Sequence, residues 1–436
     1  MSAPFLSPPD LRQAIAAELA EARERTLLLV EGLSDEDLLR QHSPLMSPIL
    51  WDLGHIAHFE QLWLTQNLDG PIEFSEMPGL YNPFEHPRAT RAGLPLPPLE
   101  KMIDTLEQIR EKVLDRLERA DFDETNPLLA GGYVYNMVLQ HEYQHNETIL
   151  QTLQLKLGDP YHPVRRVDQP PAHDMPSGMV TVPSGEYTIG TDDRSTAYDN
   201  ERPKHTVFVD AFRIDRAPVT NGEYLEFMIA GGYSSLELWS EAGREWSTQG
   251  SYKSPAYWTR DSDGWKTRMM DIVTPIDERR PVCHVSYHEA EAFARWAGKR
   301  LPTETEWEIA ASAIAGGEAL RYPWGNDDAT SRHANIDQLT FGTAPIASYT
   351  RNVSPSGCYG MIGDVWEWTR SDFTGYPVFE SFPYREYSEV FFGNDYKVLR
   401  GGSWATRPGA IRNTFRNWDY PIRRQIFSGF RCAADV

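Results

Sequence analysis

The sequence predicts a multidomain protein, α followed by α+β: a helical bundle, then a mixed domain of short strands, loops and a few helices. Three observations carry this. Through residues 1–157, apolar residues recur every three or four positions, the period of amphipathic helices. Over 158–176 that period gives way to the proline-rich YHPVRRVDQPPAHDMPS, which reads as a linker. Over 177–436, short alternating runs, frequent glycine and scattered aromatics replace it.

Taken in order, Leu11, Ile15 and Leu19 set the first helix, which closes near Leu27 to Leu29. The second starts at Ser47-Pro48, with Ser47 as N-cap and Pro48 at the first helical position, and runs through ILWDLGHIAHFEQLWLTQNL. The third, PPLEKMIDTLEQIREKVLDRLERA, places Leu99, Ile103, Leu106 and Val113 on one face. The fourth runs from about Tyr133 to Leu157. The long connection GLYNPFEHPRATRAGLPLPP, between the second and third, has the length of a functional or disordered loop. In the second half, MVTVPSGEYTIGT and HTVFVDAFRID read as strands, and VTNGEYLEFMIAGG and SYHEAEAFARWAG as helices.

Composition narrows the function. Lys and Arg number 42 against 63 Asp and Glu, a net charge of −21, which is wrong for gripping a phosphate backbone. No apolar run nears the length of a membrane span. The amino-terminal MSAPFLSPPDLRQ lacks the pattern of a signal peptide. Cys283, Cys358 and Cys432 are too few and too far apart for a disulfide framework. The expectation is a cytoplasmic protein that meets small molecules rather than nucleic acid or membrane.

The stretch HEYQH, residues 141–145, fits the zinc-protease pattern H-E-x-x-H. His141 and His145 share one helix face with Val134, Val138 and Ile149, so they face the bundle interior. Two hydrogen-bonded core histidines would look the same. A protease needs a third ligand downstream, and NETILQTLQLKLGDPYHP offers none at the usual spacing. The better third ligand lies upstream, at His55 in WDLGHIAHFE, with His58 as the alternative; Glu60 falls on the opposite face. Three neutral imidazoles leave coordination positions open, which suits zinc or an iron(II) that handles O2. Spacing does not choose between them.

WDLGHIAHFEQLWL with HEYQHNETILQ resembles the DinB-like bundle of the ergothioneine-pathway sulfoxide synthases. The second half is similar to the formylglycine-generating-enzyme fold, a C-type lectin variant, through DNERPKHTVFVDAF, APVTNGEY, RLPTETEWEIAA, RYPWGN, GDVWEWT, VLRGGSW and GFRCA. Together with FRNWDYPIRRQIF these phrases span nearly the whole chain.

The resemblance implies an Fe(II) enzyme joining the thiol of γ-glutamylcysteine, or cysteine, to imidazole C2 of hercynine with O2. It implies His55, His141 and His145 as ligands and Tyr384 as the catalytic proton donor to oxygen at the iron. Gln144, Tyr387, Asn417 and Trp418 would form the hercynine side. Arg88, Arg91, Asp419 and Arg423 would hold the carboxylates and amine of the thiol substrate. Guanidinium forks suit a dicarboxylate, and aromatic faces suit a trimethylammonium group. Glu142 points off the ligand face, as a packing partner or outer support. The cysteine pair of copper-dependent formylglycine-generating enzymes is missing from SWATRPGAIRNTFRNWDYP. Rival readings are a selenoneine synthase taking a selenosugar in place of the thiol, an ovothiol-pathway synthase using histidine, and a ligand-binding module without redox chemistry.

Overall fold

The computed structural model describes residues 8–69, 79–123, 125–164, 167–312 and 317–436. The first seven residues, where a signal peptide would begin, and Arg165 and Arg166 of the expected linker lie outside them. The chain divides into two compact units: residues 1–161 with 193–196, and residues 162–192 with 197–436.

The first unit is helical. Its elements are α1 (Pro8–Val30), α2 (Asp35–Leu39), α3 (Ile49–Gln61), α4 (Asn67–Asp69), α5 (Leu99–Leu117) and α6 (Tyr133–Gln154). A π turn over Leu62–Gln66 joins α3 to α4. The start of α3 differs from the expectation by one residue. Pro48 is its N-cap, and no side chain caps it. The Ser47 hydroxyl is spent elsewhere, accepting a 2.5 Å hydrogen bond from Arg91 Nη1. On α5 the buried stripe is Met102, Leu106, Ile109, Val113 and Leu117. Leu99 and Ile103 sit at its edge and are half-buried, because the 3.6-residue period centres the face on Met102.

Four charges cross the bundle interior, one from each long helix. Arg23 of α1 bonds Glu142 of α6 at 2.9 Å and Glu60 of α3 at 2.6 Å. Arg110 of α5 bonds the same Glu60 at 2.6 Å and lies 3.6 Å from Glu142. Thr26 Oγ1 also donates to Glu142, at 2.7 Å. Two arginines and two glutamates balance, which is what lets them stay out of water. Burial alone would push the Glu142 carboxyl up; the Arg23 and Arg110 cations reverse this and hold it below the ordinary carboxylate value. Glu142 is therefore a structural partner, on the helix face opposite His141 and His145.

Among the described residues, the second unit holds four small sheets. Strands β1 (Met179–Val182), β4 (Phe212–Asp215) and β12 (Ala433–Asp435) form one, with β4 central. Strands β2 (Gly185–Ile189) and β3 (His205–Val209) pair antiparallel. The meander β5 (Trp258–Asp261), β6 (Gly264–Met269) and β7 (Ile272–Pro275) makes a third. The fourth runs in the order β10 (Asn417–Asp419), β9 (Gly393–Arg400), β8 (Trp366–Phe373), β11 (Ser428–Gly429). Helices α7 (Asn221–Ile229), α8 (Glu241–Gly250), α9 (Tyr287–Trp296) and α10 (Glu304–Ser312) pack among them. Thr220 and Ser286 open α7 and α9 with reciprocal capping boxes to Glu223 and Glu289. The core gathers Val180, Val182, Ile189, Phe212, Ile214, Trp307 and Ile309. The proline-rich stretch is pinned along this unit: Gln169 Nε2 donates to the Thr343 carbonyl at 2.9 Å, and Arg279 Nη2 to the His173 carbonyl at 3.0 Å.

Candidate functional site

In the helical unit, His55, His141 and His145 converge. One nitrogen from each lies within 4.8 Å of the others. His141 Nε2 and His55 Nε2 are 3.2 Å apart. Two nitrogens bound to one ion at about 2.1 Å and near right angles stand roughly 3 Å apart, so the spacing fits a shared metal. Among the described residues this is the one such cluster of metal-capable side chains. His58, the alternative ligand, is outside it; burial lowers its pKa too.

The rings are set from behind. His55 Nδ1 donates to the Tyr81 carbonyl at 2.9 Å, which leaves the Nε2 lone pair facing the cluster. Trp51, one turn earlier, stacks on His55 at 5.0 Å and donates from Nε1 to the Leu80 carbonyl at 2.9 Å. Phe59 stacks on His141 at 3.7 Å. His145 Nδ1 lies 3.3 Å from Asp52 Oδ1. Loop 79–82 approaches α3 this closely because residue 54 is glycine. A Cβ there would stand 2.0 Å from the Tyr81 ring.

Electrostatics favour neutral rings. Burial, then repulsion between neighbouring rings of the cluster, holds His55 and His141 well below the ordinary imidazole value. Neutral imidazole is the form that ligates, so three nitrogen donors of this kind fit zinc or iron(II). Among the described residues, no carboxylate joins the set.

The remaining predicted residues of this unit are Gln144, Arg88 and Arg91. Gln144 is half-buried, one residue before His145. Arg88 is exposed, on a 3-10 turn over Arg88–Thr90. Arg91 is only 4% exposed. It donates to Ser47 Oγ at 2.5 Å and to the His86 carbonyl at 2.8 Å, and its guanidinium lies 3.3 Å over the Trp51 ring. Burial pushes its pKa down to about 10. Arg91 thus braces the wall behind His55, and Arg88 is the guanidinium that faces water.

The second unit gathers Tyr384, Tyr387 and Trp418. Tyr387 meets Tyr384 edge-on at 6.2 Å and Trp418 edge-on at 5.8 Å. Tyr387 also stacks on Tyr198 at 4.1 Å, and Trp418 on Phe373 at 4.1 Å. Tyr384 is 8% exposed. Asn417 Oδ1 accepts from Trp418 N at 2.9 Å. Asp419 lies 3.2 Å from Arg423 one turn on, so these two charges face each other.

A turn that sequence reasoning quoted only as a family phrase organises this aromatic set. Asp199, Asn200 and Glu201 of DNERP are buried. Asp199 accepts from Phe382 N at 3.1 Å and from Ser388 Oγ, bracketing the loop that carries both tyrosines. Asn200 accepts from Arg416 Nη1 at 2.7 Å, and Glu201 holds Arg412 and Thr414. Arg416 also makes two 2.8 Å bonds to Glu304, one residue before Asn417. Burial raises the Asp199 carboxyl to about 6. Asp52, Tyr81, Trp51 and Phe59 were missed as well. Asp52 and Phe59 had a signal, being three before and four after His55 on the same helix face.

Comparison with known proteins gives matches to both units. Residues 165–436 match the sulfatase-modifying factor enzyme 1-like domain, and residues 18–149 match the DinB superfamily. The chain is 43% identical to the hercynine oxygenase of Mycobacterium tuberculosis over 432 residues, 97% of this chain and 99% of that one. It is 44% identical to the hercynine oxygenase of Mycolicibacterium smegmatis over 438 residues, 98% and 99% of the two chains. The formylglycine-generating enzyme of Mus musculus is 32% identical over 286 residues, 59% of this chain and 75% of that enzyme.

Proposed function

The chain belongs to the hercynine oxygenase family, and from that premise we propose that it is an iron(II)-dependent sulfoxide synthase of ergothioneine biosynthesis. It joins the thiol of γ-glutamylcysteine, or of cysteine, to C2 of the hercynine imidazole. The C–H and S–H bonds are lost and a C–S bond forms. One atom of O2 ends on sulfur and the other leaves as water. Forming the C–S bond and oxidising sulfur supply the four electrons that O2 takes up.

The observation that carries the reading is the cluster of three imidazoles, with His55 and His141 nitrogens 3.2 Å apart and the back of His55 tied to a carbonyl. An iron(II) ion held there would supply O2 reduction and an open position for a soft thiolate. Arg88, exposed on its loop, supplies a guanidinium fork for a substrate carboxylate. Arg91 holds that loop and the Trp51 wall in place. In the second unit the paired aromatics Tyr387 and Trp418 would offer faces to a trimethylammonium group, with Asn417 beside them; in the helical unit Gln144 would offer a polar contact. Asp419 and Arg423 would meet the amine and carboxylate of the thiol substrate. Tyr384, in the second unit, would serve as a phenol that holds a proton and gives it up where negative charge develops on oxygen.

The test is anaerobic loading with Fe(II), then O2 uptake with hercynine and γ-glutamylcysteine. The product should have the mass of both substrates plus one oxygen less two hydrogens. Cysteine and a selenosugar serve as competing donors. Absence of iron uptake, or a product without sulfur, would overturn the proposal.

A further inference from the structure

We propose that Asp52 is the positioning residue that orients His145 at the metal and sets a negative charge behind that one ligand. The inference rests on the iron reading only in so far as an ion sits among the three imidazoles.

Asp52 precedes His55 by three residues on α3, so both project from one face. It is 1% exposed. Its Oδ1 lies 3.3 Å from His145 Nδ1, yet no hydrogen bond reaches that nitrogen or Asp52 Oδ2. Two buried polar groups face each other, each short of a partner, and each is costly in that state. A proton on His145 Nδ1, after a small turn of the ring, would bond the Asp52 carboxylate and give that nitrogen its partner. The same proton commits the lone pair to Nε2, on the side where the nitrogens converge.

The three ligands are therefore backed unequally. His55 leans on a neutral carbonyl, Tyr81 O at 2.9 Å. His141 leans on the Phe59 ring. His145 alone leans on a carboxylate. A carboxylate behind an imidazole makes the ring a stronger donor and offsets part of the charge of a dication.

Two plainer purposes compete. Asp52 sits in the first turn of α3, where a negative charge favours the helix end. It also favours the charged form of the buried Arg91. Both would affect folding, and neither would act on a bound ion.

The experiment compares wild type with Asp52→Asn, which keeps the shape and removes the charge. Fe(II) affinity is measured anaerobically by chelator competition, the Fe(III)/Fe(II) midpoint potential by redox titration, and apoprotein unfolding in denaturant. The charge reading expects Fe(II) affinity to fall by about 10- to 100-fold and the potential to move positive. Affinity within about twofold of wild type, with an unmoved potential, overturns it and leaves Asp52 as a helix-end charge. A wild type that takes up no Fe(II) sinks the iron reading itself, which is a different failure. If Asp52→Asn does not fold, the zinc-loaded wild type decides. Its His145 Nδ1–H should appear in nitrogen-edited NMR as a downfield, slowly exchanging proton; a fast-exchanging proton there overturns the proposal.

Discussion

Replacing Gly54 by alanine separates helix propensity from site architecture. Gly54 lies in the middle of α3. On propensity alone, Gly54→Ala should stabilise the helix by about 1 kcal/mol. The structure predicts the opposite sign. The added Cβ would fall 2.0, 2.3 and 2.6 Å from three atoms of the Tyr81 ring, where real contacts stay beyond 3 Å. The ring must move off α3. Such overpacking costs about 1–3 kcal/mol. The same loop carries the Leu80 carbonyl that accepts from Trp51 and the Tyr81 carbonyl that accepts from His55, both at 2.9 Å. Losing either adds about 1 kcal/mol.

The net expectation is a loss of about 1–3 kcal/mol in apoprotein stability by denaturant titration. Fe(II) affinity should fall by about tenfold as His55 loses its fixed orientation. An apoprotein more stable by about 1 kcal/mol, with unchanged metal affinity, would refute the account of how loop 79–82 sets the ligand.

Glu142→Gln should cost about 3–5 kcal/mol, since it leaves Arg23 and Arg110 with an uncompensated buried charge; thermal and denaturant unfolding read this directly. Arg88→Ala should raise KM for γ-glutamylcysteine by about tenfold or more at unchanged Tm. Arg91→Ala should lower Tm and metal affinity together, because its guanidinium is packed on Trp51 and bonded to Ser47. The apoprotein should lose stability in acid. His55 and His141 are depressed in the fold by burial, so the unfolded chain binds protons first. The stability is complete above about pH 6.5 and falls below it by about 1.4 kcal/mol per pH unit for each ring. His141→Gln should flatten that slope by about one proton, measured as unfolding free energy against pH.

The helical stripes were legible because a single period governs them. Val134, Val138, Ile149 and Leu153 are each buried as their spacing requires. His55 was legible for the same reason, as a polar residue in an apolar stripe. Ser47 was misread because a cap rule sees only neighbours along the chain, whereas its hydroxyl is claimed by Arg91, 44 residues away. Asp52 was passed over because an acid near a helix start has an ordinary explanation in the helix dipole. The turn at Asp199–Glu201 holds partners 183 to 216 residues distant, and no local pattern encodes such pairings. Helices α8 and α10, of the same lengths as α9 and α7, were not singled out because neither carries a one-sided apolar stripe: α8 buries Gly243 and Ser247, and α10 is buried nearly all round, its three glutamates included.

The motif HEYQH shows what a helical spacing does and does not specify. Four residues of separation put two imidazoles on one face, and any bundle metal site can use that. What distinguishes a hydrolytic site is the glutamate between them, poised to activate water. Here that glutamate, Glu142, is 1% exposed on the other side of the helix, closed into ion pairs with Arg23 and Arg110. It has no access to a water at the cluster. The third nitrogen comes from α3, far upstream, and among the described residues no carboxylate joins the cluster. Three imidazole donors, with the Asp52 carboxylate behind His145 rather than in the cluster, would leave open positions on a bound ion. That arrangement favours binding an anionic soft ligand and O2 side by side over polarising a single water. On the function proposed above, the same five residues serve oxidative chemistry because of what the rest of the bundle does with Glu142, His55 and Asp52.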